Sequence, residues 1–220
     1  VICTDKTGTL TEGKMTLVVI QTRTALMRPD EARTEAVLPL RIGALCNDAA
    51  RHASEDGGVW IGDTTEIAIA EAAATLGISR ELTETALPRV GEIPFQSDTK
   101  YMATLHRSGS ETVMYVKGAP EVVIDRSAMS ASDRRWFNQA ATAMAERGLR
   151  VLAVAYRDIR QDKAVIGDAT VTELVMVGLL GIADPIRADV PETVRRAEAA
   201  GIRVIMITGD HRKTAEVIAR

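Results

Sequence analysis

The run Asp5-Lys6-Thr7-Gly8-Thr9-Leu10-Thr11 gathers a carboxylate, an ammonium group and three hydroxyls within seven residues. It is entered from Val1-Ile2-Cys3-Thr4, a short β-type run, so Asp5 falls at the C-terminal end of a strand. In open α/β sheets that end is where ligands bind. An aspartate placed there can attack a phosphorus atom and become an aspartyl-phosphate, while Mg²⁺ and a lysine neutralise the transferred group. Gly8 lets backbone approach a ligand closely. The plain alternative is a strand ending in a turn with an Asx hydrogen bond. A second polar turn, Thr208-Gly209-Asp210, follows the apolar run Val204-Ile205-Met206-Ile207 and is delivered to a strand end in the same way. Its plain alternative is a β–α turn capped by Asp210.

The elements that position these groups fall into two textures. Leu17–Ile20 reads as a strand, and Asp30 can cap a helix through Val37, which Pro39 must break or restart. The stretch from Leu40 to Asp48 fits a buried helix loosely. A helix runs from about Thr65 to Leu76, capped by Asp63 or Thr64 and stopped by Gly77. Strands near Arg89–Ile93, Tyr101–Arg107 and Thr112–Val116 follow, the last two joined by the hairpin signal Ser108-Gly109-Ser110. Ser130 with Asp133 resembles a capping box, Gly148 closes the long helix, and Leu149–Tyr156 is a strand. The middle of the chain is thus antiparallel sheet plus helices. From Leu174 the pattern changes to β–α–β: an apolar strand to Ile182, a helix entered at Asp189-Val190-Pro191 and ended by Gly201, then Val204–Ile207. This half-unit needs a parallel neighbour, for which Val1–Thr4 is the candidate. The expected architecture is a parallel-sheet domain interrupted after its first strand by an inserted antiparallel domain.

With 220 residues, 46% of them hydrophobic, the chain can bury a sizeable core, and aromatics at 3% make that core mostly aliphatic. A net charge of −3 argues against a nucleic-acid partner, which would favour a basic stripe. Cys3 and Cys46 lack metal-ligand spacing and suit a reducing setting. His52, His106 and His211 are scattered, so surface roles are expected. The longest apolar run, Leu174 to Ala183, is far short of the roughly 20 residues that span a bilayer. No G-x-x-x-x-G-K-[ST] sequence occurs, which excludes a P-loop site within this chain. Val1 is not Met and sits within the first strand, so the chain reads as a piece of a longer protein.

DKTGTLT resembles the phosphorylation motif of P-type ATPases, and the resemblance covers essentially the whole chain. Cys46-Asn47-Asp48, Gly62-Asp63-Thr64-Thr65-Glu66, Pro94-Phe95-Gln96-Ser97, Lys117-Gly118-Ala119-Pro120-Glu121, Asp184-Pro185 and Thr208-Gly209-Asp210 recur in that order in the family. The set is similar to type II cation pumps. The resemblance implies a haloacid-dehalogenase-like (Rossmann-type) phosphorylation domain, residues 1–15 and 177–220, with a nucleotide-binding domain, residues 16–176, inserted in it. It implies ATP as substrate, and Mg²⁺ held in part by Asp5 and Thr7. It also implies transmembrane and actuator domains elsewhere in the protein, and a place on the cytoplasmic face of a membrane.

Site roles carried by the resemblance are as follows. Asp5 is the nucleophile, with Lys6, Thr7, Thr208, Gly209 and Asp210 around the phosphoryl group, and Asp184 and Arg187 at the hinge. Phe95 stacks on adenine, a contact worth about 1–3 kcal/mol by analogy with base–aromatic stacking; by itself this Phe would read as core packing. Lys117 lies in the adenosine pocket and Gly118 leaves room for the base. Glu66 accepts from the adenine amino group, although a glutamate in a first helical turn also suits the helix dipole without a ligand. Lys100 reaches phosphate or ribose, and Arg150 reaches the phosphates. Thr64 and Thr99 depart from the family pattern, the second weakening the positive rim.

Thr7 bears on mechanism. Phosphatases of the same superfamily usually carry a second Asp two residues after the nucleophile, and threonine cannot replace that acid–base group at neutral pH. A long-lived phosphoenzyme is favoured over rapid turnover. The family's GDGxND segment and a phosphate-binding lysine would lie beyond Arg220, so the chain is expected to bind ATP and to phosphorylate poorly. The alternatives are a soluble haloacid-dehalogenase-type phosphatase and a non-catalytic nucleotide-sensing module.

Overall fold

The computed structural model describes residues 1–31, 34–52, 58–109, 111–159, 166–208 and 215, with backbone alone for 80–82. In chain order the strands are β1 (Ile2–Asp5), β2 (Thr16–Gln21), β3 (Leu26–Met27), β4 (Ala50–His52), β5 (Val59–Ile61), β6 (Arg89–Ile93), β7 (Tyr101–Ser108), β8 (Glu111–Gly118), β9 (Arg150–Ile159), β10 (Val175–Ala183) and β11 (Val204–Ile207). The helices are α1 (Thr34–Leu45), α2 (Thr64–Thr75), α3 (Arg80–Ala86), α4 (Pro120–Asp125), α5 (Ala131–Glu146) and α6 (Val190–Ala199).

Seven strands form one antiparallel sheet in the order β3-β2-β10-β9-β8-β7-β6. Successive side chains on a strand point to opposite faces, and this alternation builds two cores. Met102, Tyr115, Val154 and Leu180 face Leu40, Ile42, Leu45 and Ile69 of α1 and α2. Tyr101, Met114, Val116, Ala153 and Leu179 face Val123 and Ile124 of α4 and Phe137 and Met144 of α5. The sheet is therefore the middle layer of three. On α5 the expected cap is present: Ser130 Oγ accepts from the Asp133 N–H at 3.0 Å.

Pro39 does not break α1, which runs through it. An interior proline costs about 3 kcal/mol. Burying Leu40, Ile42 and Leu45, each 0% exposed, returns roughly 1.5–3 kcal/mol apiece, so packing outweighs the break. His106 also departs from expectation. It is buried rather than at the surface, because Nδ1 pairs with Leu87 O and Nε2 with Thr104 Oγ1, both at 2.9 Å.

The run after Leu174 was expected to open a β–α–β unit. Instead β10 lies between β2 and β9, antiparallel to both. It is apolar throughout because Leu179 faces one core and Leu180 and Ile182 the other. The chain then leaves the large sheet. β11 pairs in parallel with β1, in the register Ile2↔Val204 to Asp5↔Ile207, as the lone half-unit required. Residues 11–14 and 184–187 run side by side between the large sheet and the β1–β11 pair, with Glu12 N–H bonded to Pro185 O and Arg187 N–H to Leu10 O.

Candidate functional site

Asp63 starts α2, its Oδ1 accepting the Thr65 N–H at 2.8 Å. Burial pushes the Asp63 carboxyl up, but hydrogen bonds from Thr65 and Glu66 and the Arg150 charge outweigh it, leaving the group below its usual range. Asn47 then fixes α2 against the end of α1. Its buried side-chain amide donates to Gly43 O and Glu66 O, and its Oδ1 accepts from Ala49. Glu66 is held on both oxygens: Oε1 by Lys117 Nζ at 2.8 Å and Oε2 by the Asp48 N–H at 3.1 Å. Lys117 reaches it from the end of β8, pointing to the α1/α2 face like its cross-strand neighbours Met102 and Val154. From the start of β9, Arg150 Nη1 donates to Thr65 Oγ1 at 2.7 Å.

These groups surround a cavity of about 480 Å³. Pro94, Phe95 and Leu152 supply apolar walls, Gly118 a strip of backbone, and Asp48, Asp63, Glu66, Lys117 and Arg150 the charges. Phe95 is 58% exposed, so it is not packed in a core and its ring is free to meet a ligand. An apolar plate beside a buried ion pair, with a guanidinium at one side, can hold a flat heteroaromatic ring bearing an anionic tail. Gly118 is required for a reason internal to the protein as well. A Cβ there would lie 2.6 Å from Lys100 O and from Tyr101 Cβ, so the neighbouring strand excludes any side chain.

Five of the six residues expected to line a nucleotide pocket thus come together: Glu66, Phe95, Lys117, Gly118 and Arg150. Lys100 does not join them. It closes a turn with its N–H on Gln96 O at 2.7 Å and a φ of +58°, and its ammonium pairs with Glu121 at 3.3 Å. Asp48, Asp63, Thr65 and Leu152 also line the cavity without having been given site roles from the sequence. Leu152 was findable, lying two residues after Arg150 on the same strand and so on the same face. A larger hollow, about 640 Å³ and wide open, lies over α4 and α5. Its arginines are already engaged, Arg126 by Asp168 and Arg134 by Asp125 and backbone carbonyls, so it offers less to a ligand.

Asp5 lies apart from this cavity, exposed at the end of β1, with Oδ1 accepting the Lys6 N–H at 2.8 Å. Lys6 is buried, Thr7 exposed, and Gly8 sits at φ +74°. The loop is clamped at its far end. Thr11 Oγ1 lies 2.6 Å from Asp184 Oδ2 and accepts from Gly8 N–H, while Arg187 donates to Gly8 O and Thr11 O. Because Asp5 pairs with Ile207, Thr208 follows at the same sheet end. Gly209 and Asp210 lie outside the described residues, as does His211.

Residues 37–189 match the family described as "P-type ATPase, cytoplasmic domain N". The whole chain is 34% identical to Calcium-transporting ATPase 1 of Lactococcus lactis, covering 26% of that protein. It is 37% identical to Probable cation-transporting ATPase F of Mycobacterium bovis, covering 27%, and 35% identical to Cation-transporting ATPase pma1 of Synechocystis, covering 28%. The chain thus spans about a quarter of the length of these relatives. Among the described residues no helix is long and apolar enough to cross a membrane. With a family match over most of its length and similarity to these transporters along all of it, the chain belongs to the P-type ATPases, residues 37–189 matching their cytoplasmic domain N.

Proposed function

We propose that this chain is the ATP-binding and phosphorylation region of a cation-transporting pump, on the cytoplasmic face of a membrane. The observation that carries the reading is the convergence of Phe95, Lys117, Glu66 and Arg150 on one cavity from four separate stretches of chain. Adenine would stack on Phe95 beside the Lys117–Glu66 pair, and Arg150 would meet the phosphates. The inserted unit begins at residue 16. Since β10 stays in the antiparallel sheet, we extend that unit from residue 176 to Ala183. Residues 1–15 and those after Ala183 would belong to a haloacid-dehalogenase-like phosphorylation domain, of which the β1–β11 pair is the part described.

Closure about the segments at 11–14 and 184–187 would bring the γ-phosphate to Asp5. A carboxylate oxygen of Asp5 attacks the γ-phosphorus, the bond to the β-phosphate oxygen breaks, and ADP leaves. Asp5 and Thr7 offer oxygen donors of the hard type Mg²⁺ prefers. Magnesium commonly keeps several waters and leans on substrate phosphates, so a few protein oxygens suffice to place it. Magnesium bound there would supply charge neutralisation of the transferring phosphoryl group. Thr7, being no acid or base at neutral pH, favours an aspartyl-phosphate that persists. Of the three relatives named above, one is called calcium-transporting and two cation-transporting, so calcium is one candidate ion. The pump's transmembrane and actuator domains would be the partners of this region.

The test is phosphorylation of the full-length pump from [γ-³²P]ATP, comparing wild type with Asp5→Asn. Acid-stable label should appear in the first and be absent from the second. Label persisting in Asp5→Asn removes Asp5 as the nucleophile.

A further inference from the structure

Arg89 begins β6 and does not line the cavity, yet its side chain is only 11% exposed and reaches Asp48, which does. Nη1 lies 2.9 Å from Asp48 Oδ1, and Nη2 lies 2.6 Å from Glu92 Oε2. Asp48 lines the cavity, and its N–H holds Glu66. Three carboxylates, Asp48, Asp63 and Glu66, therefore face two cations, Lys117 and Arg150, around one small space. That balance disfavours an anionic ligand, because separations inside a cavity of this size are comparable to the ~8 Å screening length of physiological salt. Arg89 offsets the Asp48 part of that balance from behind through Nη1, while Glu92, which does not line the cavity, takes Nη2. Its charge is felt within the cluster: burial pushes the Cys46 thiol up, and the cations Lys117 and Arg89 both act against that rise.

We propose that Arg89 is a positioning residue for the cavity: it pins the Asp48 carboxylate and cancels its charge where the phosphates of a nucleotide approach. The proposal rests on the reading of the cavity as a nucleotide site. A guanidinium suits the task because it stays charged at any working pH and can bridge two carboxylates at once.

The experiment is an ATP titration of the 220-residue chain as wild type, Arg89→Met, Arg89→Lys, Asp48→Asn and the double variant Arg89→Met/Asp48→Asn, with amide spectra reporting folding. Arg89→Met should weaken ATP binding about fivefold and adenosine binding less than twofold, since adenosine carries no phosphate. Arg89→Lys should stay within threefold of wild type. In the Asp48→Asn background, Arg89→Met should lose less than twofold, because the charge it cancelled is gone. An equal loss in both backgrounds, or an equal loss for adenosine, means a structural role and overturns the proposal. If Arg89→Met does not fold, Asp48→Asn and Arg89→Lys decide: a fivefold loss of ATP affinity in either contradicts it. Absence of ATP binding by folded wild-type protein would instead remove the nucleotide reading on which the proposal stands.

Discussion

Lys117 Nζ and Glu66 Oε1 lie 2.8 Å apart with side chains 6% and 16% exposed, an ion pair sunk into a cavity wall and joined to the chain on both sides. Taking either partner away leaves the other charged and poorly solvated, which costs about 3–5 kcal/mol in fully buried pairs. This pair borders an open cavity, so Lys117→Ala should cost less, about 2 kcal/mol by the same reasoning. In a Glu66→Gln background the cost should shrink by half or more. Urea denaturation of the four proteins measures it; a full cost in both backgrounds would show that the pair is not coupled.

Gly118→Ala tests the close approach of β7 and β8. The added methyl meets backbone and Cβ of residues 100 and 101, which cannot swing aside as the end of a flexible side chain could. A loss of about 1–3 kcal/mol is expected from such overpacking, visible as an earlier thermal midpoint, with ATP affinity falling as β8 is displaced. Wild-type stability in this variant would mean the strands are less tightly opposed than the geometry shows.

Asp63→Ala removes the cap of α2 and should cost about 1 kcal/mol at pH 7. The Asp63 carboxyl sits below its usual range in the folded state, so its contribution is complete above the unfolded value and is lost as pH falls through the folded one. The gap between wild type and Asp63→Ala should therefore be constant from pH 8 to 5 and narrow below pH about 4. A gap that widens with acid would contradict this sign.

Local chemistry makes much of this legible in the sequence. Asp63, Ser130 and Asp133 sit where capping rules put them, and β1 finds β11 because a parallel strand cannot stand unpaired. What failed had non-local causes. Pro39 breaks a helix by its own geometry, but the burial of Leu40, Ile42 and Leu45 against the sheet overrides it. His106 reads as a surface residue until Leu87 O and Thr104 are brought to its two nitrogens by pairing of distant residues. The placement of Lys100 is likewise not legible from its spacing of five residues after Phe95: it sits in a left-handed turn with its ammonium beside Glu121. The cavity shared this split. Phe95, Lys117 and Arg150 stood out as residues, whereas Asp48 and Thr65 acquire a place only through the meeting of α1, α2 and β9.

Whether the cavity holds ATP is decided by titrating the 220-residue chain with ATP, with and without Mg²⁺, beside Phe95→Ala and Lys117→Ala, following backbone amide shifts. Weak binding is expected, on the order of 0.1–1 mM or about −4 to −5.5 kcal/mol. Shifts should centre on residues 63–66, 94–95, 117–118 and 150–152, with little dependence on Mg²⁺. Phe95→Ala should lose tenfold or more, in line with about 1–3 kcal/mol for a stacked base. A well-folded spectrum that ATP leaves unmoved, or full affinity in Phe95→Ala, would contradict the assignment of this cavity to ATP.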